Sequence, residues 1–219
     1  MKNIVLSIAF VALGATTMIA QDQIKDQDRD QDRLMLVDGD VLQIRDRDQV
    51  RLNDQVTLND GTVLKPDGSY QTRDRLQLRL KDGECLDADG IKYRNEYQYR
   101  YRLQQENKGL SQAQIRERNQ NRVHYTMVNG ELMQVRHQFQ NRVQNQVNLD
   151  NGMTVNPNGT YQNRERQQLR LQEGECLNMD GQMFKNTYQH RKMIMKHKMA
   201  NKKAMKKNVQ KKANKKGSE

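Results

Sequence analysis

Cysteine and proline are scarce in this chain, with two of each in 219 residues, and aromatic residues make up 5%. Beyond the N-terminus no apolar run is long enough to span a bilayer, which excludes a helical membrane domain. No Cys-x-x-Cys occurs, and no histidine precedes His124, so a zinc site or an activated thiol lacks its usual partners in the first half. No glycine-rich loop follows a strand and opens a helix, so phosphate-loop chemistry has no footing either. The acid pairs Glu84/Asp89 and Glu175/Asp180 only flank turns, and Ser69 gives way to Thr160 in the repeat described next. The chain is therefore expected not to be an enzyme.

What the chain does have is an internal repeat at a fixed offset of 91 residues. Of the 57 positions in 37–93, 26 are identical in 128–184 without a gap. Pro66, Gly68, Tyr70 and Gln71 return as Pro157, Gly159, Tyr161 and Gln162, and Gly83-Glu84-Cys85-Leu86 returns as Gly174-Glu175-Cys176-Leu177. The two prolines and the two cysteines thus occupy equivalent positions.

Within each copy the period is that of strand and turn. Leu34–Val37 meets Asp38-Gly39, Val56–Leu58 meets Asn59-Asp60-Gly61, and Lys65-Pro66-Asp67-Gly68 leads into Tyr70. Such Asp-Gly and Asn-Gly steps supply the positive φ angles of tight hairpins. Leu76, Leu78 and Leu80 alternate with Arg75, Gln77 and Arg79, which puts the leucines on one face and the polar residues on the other. The expected fold class is mainly β: two small tandem antiparallel β-meander domains, at 34–102 and 123–190, joined by a polar, flexible or helical linker at 103–122. Tyr97, Tyr99 and Tyr101 alternate with Gln98 and Arg100, which suggests one more strand at the end of the first copy. The copies either pack on each other or form an extended ladder of hairpins.

The ordered series of Asp-Gly turns, the Asn-Asp-Gly-Thr-Val-Leu-Lys-Pro-Asp-Gly stretch at 59–68 and the Gly-Glu-Cys-Leu-Asp-Ala-Asp-Gly stretch at 83–90 resemble a small secreted domain of Bacteroidota, domain of unknown function 6799. The resemblance covers 34–93 and, less closely, 125–184. It implies export and a domain boundary around each copy, and it carries over no catalytic or ligand-binding residue.

Four residue sets invite a chemical role. Asp87-x-Asp89-Gly90 looks like half of a calcium-binding loop and Asp-Gly steps recur, but Asp38, Asp60, Asp67 and Asp87 are matched by Asn129, Asn151, Asn158 and Asn178 in the second copy. Asn serves a left-handed turn as well as Asp but is a poorer ligand for a hard cation, so the shared property is turn geometry. Cys85 and Cys176 leave three states open: a disulfide between the copies, buried free thiols, or a bond between chains. His190, Met193, Met195, His197 and Met199 combine imidazole and thioether donors suited to copper(I) or silver(I), although nearby lysines repel cations. Arg75, Gln77 and Arg79, kept in the second copy, form either a solvated strand face that discourages edge aggregation or a shallow surface for an anionic polymer.

The ends of the chain differ from its body. Lys2, the apolar run Ile4–Leu13 and the small residues up to Ala20 read as a signal peptide at 1–20, followed by a Gln/Asp/Arg-rich leader at 21–33. Residues 185–219 carry 13 Lys+Arg and one acid, whereas 21–184 carry 24 Lys+Arg and 26 acids, so the +11 net charge belongs to the tail at 191–219. Lys202, Lys203, Lys206, Lys207, Lys211 and Lys212 are its candidate anion-binding residues, and mutual repulsion is expected to leave the segment disordered or partly helical. The expected protein is exported, periplasmic or extracellular, without a cofactor or a transmembrane span after cleavage. Its tail would hold it near an anionic envelope surface or polyanion, with no sequence-specific recognition of nucleic acid. The competing reading is a periplasmic soft-metal binder.

Overall fold

The computed structural model describes residues 32–120 and 122–216, with side chains as far as Lys206. The expected signal peptide, and the leader except Asp32 and Arg33, lie outside the described residues. Those two residues open the first strand and are buried, so the body begins slightly before the expected boundary.

The first copy runs β1 (Asp32–Val37), β2 (Asp40–Arg51), β3 (Val56–Thr57), β4 (Val63–Leu64), β5 (Ser69–Gln71), β6 (Gln77–Arg79), β7 (Cys85–Asp87), β8 (Lys92–Tyr93) and helix α1 (Glu96–Glu106). A short helix α2 (Gln112–Asn119) follows. The second copy repeats the order with β9 (Val123–Val128), β10 (Glu131–Arg142), β11 (Val147–Asn148), β12 (Thr154–Val155), β13 (Thr160–Gln162), β14 (Gln168–Arg170), β15 (Cys176–Asn178), β16 (Met183–Phe184) and helix α3 (Thr187–Lys216). The fold is mainly β, in two parts that follow the repeat.

The two parts exchange strands. One eight-stranded antiparallel sheet has the order β16-β15-β1-β2-β10-β9-β7-β8. The first copy's β7–β8 hairpin extends the second copy's β9–β10 hairpin, and β15–β16 extends β1–β2. The long central strands β2 and β10 meet at a pseudo-twofold axis, where Asp46 faces His137, its own counterpart in the other copy, beside an irregularity in register. The turns are built for this arrangement. Asp38 and Gly39 hold φ of 54° and 77°, the two positive angles of a hairpin turn twisted like its strands. Their N–H groups donate to Glu173 of the other copy at 2.9 and 2.8 Å, while Gly130 N–H donates to Asp82 at 3.0 Å.

Two small four-stranded sheets, β3–β6 and β11–β14, cover one face of the large sheet, again crosswise. Leu64, Tyr70 and Leu80 of the first copy pack with Tyr125, Met127 and Leu132 of the second. Leu149, Val155 and Leu171 of the second pack with Leu34, Leu36 and Val41 of the first. Helices α1 and α3 lie toward the other face, where Met35, Val37 and Ile44 meet Phe184, Tyr97 and Met193. Strand β1 is therefore buried along its whole length, which accounts for the continuous apolar run Leu34–Val37.

Two expectations are corrected. The segment expected as an extra strand is α1, capped by the Asn95 side chain accepting from Gln98 N–H at 3.0 Å. Its buried residues Glu96, Tyr99, Arg100 and Leu103 follow helical spacing, but two of them are charged and read as surface. The alternating stretch 75–80 forms a strand only at Gln77–Arg79, and of its three leucines only Leu80 reaches the core: Leu76 and Leu78 are 61% and 47% exposed.

Candidate functional site

The turn carboxylates act on their own backbone. Asp60 accepts from Thr62 N–H, Asp67 from Ser69 N–H, and Asp87 from Asp89 and Ile91 N–H, all at 2.9–3.0 Å. Asn151, Asn158 and Asn178 repeat this for Met153, Thr160 and Gln182. Turn geometry is what the two copies share.

Between β2, β10 and the two core-packed helices lies a centre that sequence reading missed. Arg33, Arg100 and Arg191, with Asp46 and Glu96, are 0–4% exposed. Asp46 accepts from Arg33 at 2.8 Å, Arg100 at 2.9 Å and Arg191 at 3.0 Å. Glu96 accepts from the same three guanidiniums at 2.7–3.0 Å, with Arg191 Nε bound to Oε2. Burial alone would raise both carboxyls, but the three arginines hold them well below the usual carboxylate range. Three cations and two anions leave this group with a formal charge of +1.

Histidines surround it. Arg100 Nη1 lies 3.2 Å from His137 Nδ1, and His137 Nε2 lies 2.8 Å from His124 Nδ1. A guanidinium only donates, so His137 accepts at Nδ1 and carries its proton on Nε2, which donates to His124. The His124 proton is then on Nε2, 3.8 Å from Glu96 Oε2. Tyr99 packs on both rings at 4.8 and 5.4 Å. His190 stacks edge-on against Phe184 at 5.1 Å, and neither of its ring nitrogens has a hydrogen-bond partner. Burial, together with the nearby arginines, keeps the three imidazoles neutral: His124 is pushed down to about 4, His190 to about 3 and His137 well below its usual value. The copies contribute unlike residues at equivalent places, with Arg33 opposite His124, Asp46 opposite His137 and Tyr99 opposite His190, while Arg100 and Arg191 are shared. The one legible signal was that last pair at the 91-residue offset.

The cysteines are free and buried, in separate clusters: Cys85 with Tyr93, Tyr99 and Leu103, Cys176 with Met35, Ile44 and Phe184. The structure does not join Cys85 to Cys176. Burial pushes both thiols up, Cys176 to about 12. The five soft-metal candidates are dispersed along α3. His190 is in the core, Met193 packs beside Met35, Met195 is buried with Val128 and Met133, and His197 and Met199 are exposed. The structure does not assemble them into one site.

The surface has two further features. A cleft of about 550 Å³ lies beside α1. Its arginines converge on Glu106, with Arg102 at 2.9 Å, Arg122 at 2.7 Å and Arg118 at 3.5 Å, and tie α1 to the segment that follows it. The second copy has Met193 and His197 in place of Arg102 and Glu106. The other feature is α3, which continues past the core to Lys216, about 45 Å in all at the helical rise. Lys202, Lys203 and Lys206 are exposed on it, while the side chains of Lys207, Lys211 and Lys212 lie outside the described residues. No helix among the described residues is long and apolar enough to cross a membrane.

A family model described as domain of unknown function (DUF6799) matches residues 31–91 and 122–183. No curated protein and no solved structure matches the chain significantly.

Proposed function

The chain belongs to the DUF6799 family, with two tandem copies of a domain to which that description attaches no ligand, and from its own chemistry we propose an exported, non-enzymatic binding protein held at an anionic envelope surface by α3. One observation carries this reading. The helix that bears the lysines begins inside the protein, where His190, Arg191, Ile194 and Met195 are buried, and continues outward with Lys196, Lys202, Lys203 and Lys206 exposed. The cationic segment is thus joined to the body without a hinge. Among the described side chains, its exposed large apolar residues are the single methionines Met199 and Met205, set among lysines. Such a lysine-bearing stretch lies against a charged surface by electrostatic attraction. Lipid phosphate, lipopolysaccharide and acidic glycan present the same anionic chemistry to it.

Vesicle sedimentation across a salt series tests the reading. Deleting everything after residue 184 would remove Arg191 from the core, so the comparison uses mature 21–219 and a variant with Lys202, Lys203, Lys206, Lys207, Lys211 and Lys212 changed to Gln. The unmodified chain is expected to bind phosphatidylglycerol vesicles at about 50 mM salt, to be released by about 500 mM, and to ignore phosphatidylcholine. The six-fold variant should stay in solution with unchanged unfolding. Equal binding by both proteins defeats the proposal.

A further inference from the structure

Among the residues the copies share, one exposed stretch stands out. Arg75-x-Gln77-Leu78-Arg79-Leu80 recurs as Arg166-x-Gln168-Leu169-Arg170-Leu171. Core packing accounts only for Leu80 and Leu171, which are buried. The residues of β6 and β14 are exposed, with Leu78 at 47% and Leu169 at 43%.

Both strands are the outermost members of their small sheets. β6 pairs only with β5, and the bonds Thr72 N–H to Leu76 O and Leu80 N–H to Gly68 O fix which residues face that partner. Antiparallel alternation then turns the N–H and C=O groups of Gln77 and Arg79 away from β5, toward the open edge. The same bonds at Asn163–Gln167 and Gly159–Leu171 turn Gln168 and Arg170 outward on β14.

The turn ahead of each strand adds an independent observation. Arg75 N–H donates to Thr72 O at 2.9 Å, with Arg75 at φ 63°, and Arg166 holds φ 62° in the equivalent turn. Other positive-φ positions among the described residues carry glycine, or the tolerant Asp38 and Asn129. Arginine in this region is strained, glycine would relieve it, and both copies keep the arginine.

We propose that β6 and β14 are two equivalent docking edges for an extended acidic peptide segment, which adds to each small sheet as a further strand. Its backbone pairs with Gln77 and Arg79 on one edge and with Gln168 and Arg170 on the other. Its apolar side chains cover Leu78 or Leu169, and its carboxylates meet Arg75 and Arg79 or Arg166 and Arg170. Charge selects the occupant. From Arg73 to Lys81 the first edge carries Arg73, Arg75, Arg79 and Lys81 against Asp74 alone, and the second carries Arg164, Arg166 and Arg170 against Glu165. Two such edges repel each other, which disfavours pairing between copies of this chain. The outward backbone groups favour a peptide over an acidic glycan, which could use the arginines but not the strand ladder.

The test uses mature 21–219 and a labelled twelve-residue peptide of alternating Glu and Val, with a Lys/Val peptide and alginate as controls. Anisotropy is expected to show two Glu/Val peptides per chain, and amide exchange should slow at Gln77, Arg79, Gln168 and Arg170. The Arg79→Glu/Arg170→Glu variant should weaken binding at least tenfold. Gln77→Pro/Gln168→Pro removes only outward-facing N–H groups, so it should abolish binding while leaving the thermal midpoint in place. The proposal is overturned if exchange slows only in the lysine helix, if the double proline variant binds as well as the parent, if alginate alone binds the edges, or if no peptide binds.

Discussion

At the scale of single residues the protein depends on a buried charge centre more than its composition suggests. Asp46 and Glu96 each receive hydrogen bonds from three guanidiniums in a space closed to solvent. Glu96→Gln keeps the shape but leaves three cations facing one anion, and it should destabilise the fold by about 3–5 kcal/mol, read as a lower urea midpoint. The histidines give a second expectation. Their folded pKa values are depressed below the ordinary 6.5, so their contribution is fully present above that pH. It is lost as pH falls toward about 4 and below, because the unfolded chain takes up protons that the folded core refuses. Three such groups make stability fall by up to about 4 kcal/mol per pH unit around pH 5. Urea titrations from pH 8 to 4 measure the slope, and His190→Phe should reduce it by about one proton.

At the scale of elements the turns and helix ends set where each segment begins. The 72–75 turn is the informative case, because Arg75 and Arg166 occupy the left-handed region where glycine costs nothing. Arg75→Gly should therefore raise stability by about 0.5–1 kcal/mol in thermal unfolding, in contrast to most surface changes. A loss of stability would mean that the arginine side chain supports the fold itself. The turns at Asp38-Gly39 and Asn59-Asp60-Gly61 were legible because Asp-Gly and Asn-Gly have few other uses, whereas the 72–75 turn was not, since Arg75 reads as part of the alternating run 75–80. Helix α1 was not, since Tyr97, Tyr99 and Tyr101 alternate like a strand while the residues that face the core, Glu96 and Arg100, look like surface.

For the whole molecule the consequence is interdependence. Each small sheet packs on strands of the other copy, and each copy's last hairpin lengthens the other's first. A protease site inserted between Lys108 and Gly109, in the exposed connection after α1, should yield two fragments that still elute together at the size of the intact chain. Independent tandem domains would separate after the cut. Exchange also explains why copies of about 60 residues can be stable, since one continuous sheet serves both.

The sequence by itself determined the duplication, the β class, the turn chemistry and the family, because these are written in local patterns: an offset of 91, Asp-Gly steps and alternating apolar residues. It also determined that the positive charge belongs to the C-terminal segment. Only the tertiary structure decided that the copies exchange strands, that Cys85 and Cys176 lie in separate clusters, and that Arg33, Arg100 and Arg191 converge on Asp46 and Glu96. These depend on contacts between residues as far as 145 positions apart in the chain. A buried arginine is spelled like an exposed one, and only the strand that covers it makes the difference.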